Sequence, residues 1–286
     1  MLELAELAPS AFPEAAEQFS FSRSAGAEQV GEELRALLGM DGWPAGVWSD
    51  PRLALRRATE ATERLSVLVL QTRDVPIAEM RAFSISERPY PVVVLNGADW
   101  PRPRLFSLLH ELCHLGLNTS SLCDLHEIRG KRGRDEDDVE HFCNQVAAAA
   151  LMPRAQLLDD PAVRQWNAAH PWTIAELATA SRRYSASSEA LLLRLVSLQR
   201  STWDTYWLRR PELEREYAEA RERQKARQRE GDGGPSYYTV KARNLGHGYV
   251  HSVIDAFQAR AISSFDVADY LDIRFDQLPR LEEAVS

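Results

Sequence analysis

The chain has 286 residues and a net charge of −8, from 34 basic and 42 acidic side chains. This excess of acid disfavours attraction of the whole surface to nucleic acid, although it is compatible with a local basic face. The apolar fraction is 44%, and the longest apolar run, residues 146–152, is far shorter than the roughly 20 residues that cross a bilayer as a helix. We therefore expect a globular, water-soluble protein without a membrane span.

Two features predict a cytoplasmic location. The amino-terminal sequence MLELAELAPS lacks the basic start and apolar run of a secretory signal. The three cysteines, Cys113, Cys123 and Cys143, are odd in number and show no CxxC spacing, which favours reduced thiols over a disulfide framework or a cysteine-based zinc knuckle.

The first predicted elements are two helices, at residues 27–40 and 51–65, the second with Asp50 as its cap and Pro51 in its first turn. Three short segments rich in β-branched residues follow and predict a small sheet. They are residues 65–71, 80–86 and 91–96.

Pro101 and Pro103 precede an apolar-periodic stretch at 104–117, which predicts a helix. Residues 119–137 are polar and without periodicity, so they predict a loop. A helix at 138–152 follows, capped by Asp137 or Asp138 and ended by Pro153. Its alanine-rich face would let another helix pack closely.

The second half of the chain is mainly helical by its pattern. Residues 172–198 predict two short helices around a serine-rich turn, either a helix-turn-helix or a plain helical hairpin. A strongly charged helix at 203–230 ends at GDGGP, and helices near 246–259 and 263–271 complete a mixed C-terminal segment.

The sequence His110-Glu111-Leu112-Cys113-His114 is an HExxH motif on a predicted helix. Residues four apart share a helix face, so both imidazoles can bind one tetrahedral zinc ion. Glu111, beside the first histidine, is the candidate general base. Cys113 points away from this face and is expected to pack in the core.

A catalytic zinc needs a third protein ligand and an open position. Glu140, 26 residues after His114, is our candidate, because a loop and a turn can bring its helix back against the first. His141, His126 and Glu127 compete for this role. His126 lies in the predicted loop, and His141 faces roughly 100° away from Glu140 on the same helix.

At these residues the sequence resembles the ImmA/IrrE family of metallopeptidases. The segments that carry the resemblance are PVVVLNGADWPRPRLFSLLHELCHLGLN and EHFCNQVAAAALMP. The resemblance implies that His110, His114 and Glu140 bind the metal and that Glu111 is the base, the same four residues that spacing indicates. Cys113 departs from the family pattern, which commonly has a glycine there.

We therefore predict an α+β fold in which a small β-sheet packs on zincin-like helices carrying HExxH and the third ligand, Glu140, followed by a mainly helical half. The predicted units are a zincin-like metallopeptidase domain at 1–160, a helix-turn-helix-like domain at 161–230 and a C-terminal α/β segment at 231–286. Oligomeric state cannot be read from the sequence.

The predicted function is zinc-dependent endopeptidase activity, although Mn²⁺ or Fe²⁺ also suits two histidines and a carboxylate. By resemblance, the protein substrate is a helix-turn-helix transcriptional repressor, whose cleavage derepresses stress, phage or mobile-element genes. One alternative is a DNA-binding regulator that uses Arg182, Arg183 and Arg194, and another is a toxin–antitoxin component. Nucleic acid is not the favoured partner.

Overall fold

The computed structural model describes residues 19–87, 91–119, 121–123, 134–230 and 236–285, with the side chains of 121–123, 134–136, 221 and 224–230 left undescribed. Within these ranges there are fourteen α-helices and four strands. The helices of the first half are α1 (Ala27–Leu37), α2 (Ala45–Ser49), α3 (Pro51–Glu63), α4 (Pro101–Gly116), α5 (Arg134–Leu151), α6 (Arg154–Asp159) and α7 (Pro161–Arg164). The second half contains α8 (Ile174–Ser181), α9 (Ser188–Ser197), α10 (Trp203–Glu230), α11 (Tyr237–Leu245), α12 (His247–Gln258), α13 (Ser264–Leu271) and α14 (Leu278–Val285).

The sheet has the strand order β1-β3-β2-β4. Its strands are β1 (Leu68–Thr72), β2 (Ala82–Ile85), β3 (Val92–Asn96) and β4 (Ser121–Cys123). β1 and β3 are parallel, with Leu68 opposite Val92, whereas β2 is antiparallel to both β3 and β4. The predicted small sheet on the HExxH helix is confirmed, since α4 packs against β2 and β3.

Two boundaries differ from the sequence prediction between residues 119 and 138. Residues 121–123 form a strand rather than a loop, because pairing with β2 stabilises a segment too short to show alternation. Helix α5 begins at Arg134, earlier than the predicted caps Asp137 and Asp138. Its first residues show no apolar periodicity in the sequence, so the pattern placed the start of the helix too late.

One hydrophobic core extends from α1 to α10. Trp172 and Leu191, beyond the predicted domain boundary at 160–161, are buried in the same core as Leu108 and Leu112 of α4. A second core joins Leu68 of β1 to the last four helices. The described part of the C-terminal segment, 236–285, contains helices joined by short turns and no strand, whereas the sequence predicted an α/β segment at 231–286.

Helix α5 is held tightly by its neighbours. A Cβ atom on Gly31 of α1 would lie 2.6 Å from the Cβ of Ala149, so the two helices approach closely along the alanine-rich face, as the sequence predicts. Near the end of α5, Arg35 Nη1 donates to the carbonyl of Ala150 at 3.0 Å, and Arg194 Nε donates to that of Met152 at 3.1 Å. Two guanidinium groups thus satisfy carbonyls at the helix terminus.

Arg194 also forms a two-pronged ion pair with Glu28, with N–O distances of 2.6 and 2.7 Å. It is buried, and Arg183 is paired with Asp160 at 2.6 Å. Two of the three arginines considered for DNA contact are therefore paired with acids of the same chain, although Arg183 itself is exposed. Among the described residues, every helix is too short or too polar to traverse a bilayer.

The Arg194→Lys substitution is expected to lower the free energy of unfolding by about 2 kcal/mol, because lysine cannot serve both Glu28 and the Met152 carbonyl in the same planar geometry. Denaturant unfolding would measure this change. Arg182→Lys, at an exposed position, is the matched control and should leave stability unchanged. Equal effects at both positions would contradict a structural role for Arg194.

Glu63, at the end of α3, receives a hydrogen bond from the Gly248 amide at the start of α12, with Oε1 3.2 Å from the nitrogen. Burial raises the pKa of Glu63 to about 7, against the opposing effect of this hydrogen bond, and the charge of Glu60 adds to the rise. The pKa of His247, which precedes Gly248 in α12, is lowered by burial and by the charge of His251.

Because the folded protein holds the Glu63 proton more tightly than the unfolded chain, stability should fall as the pH rises from 4.5 to about 7. Glu63→Gln keeps the oxygen that accepts from Gly248 but carries no charge. We expect it to exceed the wild type in stability above this window by roughly 1–3 kcal/mol, with the difference vanishing at acidic pH. Thermal unfolding across pH tests this, and exposed Glu79→Gln should show no such dependence.

Candidate metal centre

The HExxH motif occupies the last two turns of α4. Pro101 occupies the first position of this helix, where its missing N–H costs no hydrogen bond. His110 and His114 are buried, with exposed side-chain fractions of only 1% and 2%. Their four-residue spacing brings the two Nε2 atoms to 3.1 Å from each other.

Glu140 of α5 completes the group. Its Oε2 lies 3.2 Å from His110 Nε2 and its Oε1 lies 3.3 Å from His114 Nε2. Donor atoms around a tetrahedral zinc with bonds near 2.0–2.1 Å are about 3.3 Å apart, so this set has the spacing that the ion requires. The side chain of Glu140 is 22% exposed, which leaves the group open to solvent on the Glu140 side.

The electrostatics of Glu140 favour its ionised form. Burial alone would raise the pKa of this carboxyl, but hydrogen bonds from His110 and His114, together with their charges, lower it well below its usual range. The carboxylate is therefore available as an anionic ligand. Within the described residues, His110, His114 and Glu140 form the one set of three histidine, cysteine or acidic side chains close enough to hold a metal ion.

Thr119, just after α4, fixes the tautomer of His114. Its hydroxyl donates to the His114 carbonyl at 3.1 Å, so it can accept only from the Nδ1–H of the same histidine, also at 3.1 Å. When Nε2 of His114 loses its proton, as metal binding requires, the lone pair of that atom is directed toward Glu140 and His110. Nitrogen lone pairs and carboxylate oxygens converging this closely match a cation, and the donor set therefore fits a divalent metal.

Ser84 of β2 orients the candidate base. Its hydroxyl donates to Oε2 of Glu111 at 2.7 Å, and both side chains are buried. Neither Ser84 nor Thr119 was predicted from the sequence. The available signal for Ser84 was a polar residue on the inward face of a short apolar strand, where a buried hydroxyl requires a partner.

The competing candidates lie elsewhere. His141 is exposed and hydrogen-bonds to Gln145 of its own helix, with 3.0 Å between Nε2 atoms. His126 and Glu127 fall outside the described residues. Cys113 and Cys143 are buried as free thiols, and the hydrogen bond between them, reinforced by burial, raises the pKa of Cys143 far above its usual range.

An open groove of about 490 Å³ lies beside the outer face of α5. It contains none of the three donor atoms, so its position does not alter the assignment of the centre. Its lining residues are Arg23, Ser24, Asp138, His141, Phe142 and Gln145.

The sequence also suggested four C-terminal side chains as hydrogen-bond donors to substrate: Tyr237, Tyr238, His247 and His251. They lie on α11 and α12, which pack against β1. Ser84, which contacts the candidate base Glu111, lies on a different strand, β2.

Residues 62–196 match the family model of Peptidase_M78, described as the IrrE N-terminal-like domain. A search of curated proteins found no significant match to the chain. The matched range includes the HExxH helix and Glu140, which confirms the resemblance inferred from these segments. Residues 62–196, just under half of the chain, are therefore similar to the Peptidase_M78 domain described as IrrE N-terminal-like.

Proposed function

We propose that this protein is a zinc-dependent endopeptidase, with His110, His114 and Glu140 as metal ligands and Glu111 as the general base. The observation that carries the proposal is the meeting of three donor side chains within 3.1–3.3 Å of one another. The M78 match supports the same chemistry. A divalent ion in this position would act as a Lewis acid toward a peptide carbonyl and would acidify water.

Zinc is the proposed ion because the donor spacing suits a tetrahedral ion with bonds near 2.0–2.1 Å. Two neutral imidazoles and one carboxylate would leave the loaded site with a net positive charge. Mn²⁺ and Fe²⁺ bind similar donor sets, so the native ion is a matter for metal analysis.

Glu111 is suited to proton transfer by its position. It follows His110 directly on α4, and the Ser84 hydroxyl fixes one of its oxygens at 2.7 Å. In the proposed reaction, Glu111 accepts a proton from the attacking water and then donates it to the departing amine. Ser84 acts as a positioning residue, because it holds the carboxylate rather than touching the substrate.

The proposed substrate is a helix-turn-helix repressor, and the proposed location is the cytoplasm. The support is the sequence resemblance to ImmA/IrrE proteins together with the M78 match. We do not propose DNA binding as the principal function, since Arg183 and Arg194 are committed to Asp160 and Glu28. A toxin–antitoxin role has no observation in its favour.

Glu140→Gln tests the metal site. The substitution keeps the shape of the side chain but removes its anionic charge, so we expect zinc affinity to fall by at least about tenfold to a hundredfold. Zinc content after dialysis, and the increase in melting temperature on adding zinc, would measure the loss. Asp138→Asn, at an exposed position on the same helix, is the control and should bind zinc like the wild type. Equal binding by both variants would refute Glu140 as a ligand.

Glu111→Gln tests the base. We expect kcat to fall by roughly 10²–10⁴-fold while zinc stays bound, because the amide cannot take a proton from water. Mass spectrometry of a peptide library, and of helix-turn-helix repressors encoded beside the gene, would detect cleavage. Exposed Glu32→Gln serves as the matched control. Undiminished cleavage by zinc-loaded Glu111→Gln would overturn the assignment, whereas cleavage of the library but not of repressors would overturn only the substrate.

A further inference from the structure

The first two turns of α10 present two tryptophans and a leucine to solvent. The exposed fraction is 57% for Trp203, 56% for Trp207 and 63% for Leu208. Large apolar side chains on a protein surface are normally scattered singly. Here the four-residue spacing puts both tryptophans on one helix face, and their rings stack with centroids 6.3 Å apart. We call Trp203, Trp207 and Leu208 the tryptophan patch.

A buried tyrosine supports the tryptophan patch. The ring centroid of Tyr206 lies 5.6 Å from that of Trp203 and 5.0 Å from that of Trp207, edge-to-face in both cases. The Tyr206 hydroxyl donates to Oε1 of Glu189 in α9 at 3.0 Å. Aromatic rings that are already held in place lose little conformational freedom on binding, which favours association.

A charged pair borders the patch. The Arg210 guanidinium lies 5.4 Å from the ring centroid of Trp207, and its Nε lies 2.9 Å from Oε1 of Glu214. Tryptophan, tyrosine and arginine are the side chains enriched at the centres of protein interfaces, where charged residues form the border. The start of α10 therefore has the composition of a protein-binding surface.

The charges around the patch are ordered in opposite sign about Trp207. Asp204 lies three residues before it and Arg210 three residues after it, while Arg200 and Glu214 lie seven residues before and after it. In an antiparallel contact with a twofold axis at Trp207, residues at equal separation from the axis become level with each other. Asp204 then comes level with Arg210 of the second copy. Arg200 likewise comes level with Glu214, so this surface is complementary to itself.

We propose that the tryptophan patch is the centre of an antiparallel contact between two copies of this chain. With about 250 Å² for a fully exposed tryptophan, the patch offers roughly 400 Å² of apolar surface per copy. A standard stable interface takes about 800 Å² from each partner, and here the charged border supplies the remainder. We therefore expect a dissociation constant on the order of 10 μM. The contact does not depend on peptidase activity.

Sedimentation velocity of the full chain from about 1 to 300 μM tests the contact, since this range spans the expected dissociation constant. The average mass should rise from that of one chain toward that of two. Trp207→Glu should weaken self-association by at least about tenfold, because two carboxylates then meet at the axis. Phe265→Glu, at an aromatic residue of α13 that is 78% exposed, is the matched control and should associate like the wild type.

Exchanged charges test the antiparallel register without changing the tryptophans. Asp204→Arg places like charges level with each other in a pair of identical chains, and so does Arg210→Asp. Each variant alone should associate roughly fivefold more weakly than the wild type. An equimolar mixture should recover the loss, because each level then holds one acid and one base. The register is overturned if the mixture associates no more tightly than either variant alone.

A wild-type chain that stays monomeric throughout the concentration range would overturn the proposal. So would self-association that Trp207→Glu retains at full strength. Co-sedimentation with vesicles of phosphatidylcholine and phosphatidylglycerol tests a membrane as the other occupant. Vesicle binding that Trp207→Glu abolishes, in a chain that does not self-associate, would assign the patch to a lipid surface instead of a second copy.

Discussion

The close packing of α4 against α5 is the constraint on which the candidate centre depends. Two imidazoles come from one helix and a carboxylate from the other, and their donor atoms must stay within 3.1–3.3 Å. If one helix slid along the other by even part of the rise of about 1.5 Å per residue, these donor atoms would move apart. The protein restrains α5 on its far side by the contact of Gly31 with Ala149, and near its end by the side chains of Arg35 and Arg194.

How much of this arrangement the sequence predicts depends on the range of each interaction. The positions of His110 and His114 follow from a four-residue spacing on one helix, so local pattern was sufficient. The placement of Glu140 required its helix to pack back against α4, which the separation of 26 residues from His114 allows. Ser84 and Thr119 were missed because a single hydroxyl becomes informative only when the group opposite it is known.

Dependence on a partner that is distant in the sequence also explains the errors in the element boundaries. Strand β4 depends on β2, a partner about 40 residues away, and a three-residue strand has no period of its own. Only some of the C-terminal helices were predicted. Their apolar residues pack in a second core, and the sequence pattern does not show which of the two cores an apolar residue joins.

Strand β1 connects the two cores. Val69 lies in the first core and Leu68 in the second, as alternation along a strand requires. At Gly246, φ is +82° and a Cβ atom would lie 2.6 Å from the Val69 carbonyl oxygen, so glycine allows the C-terminal helices to close directly on β1.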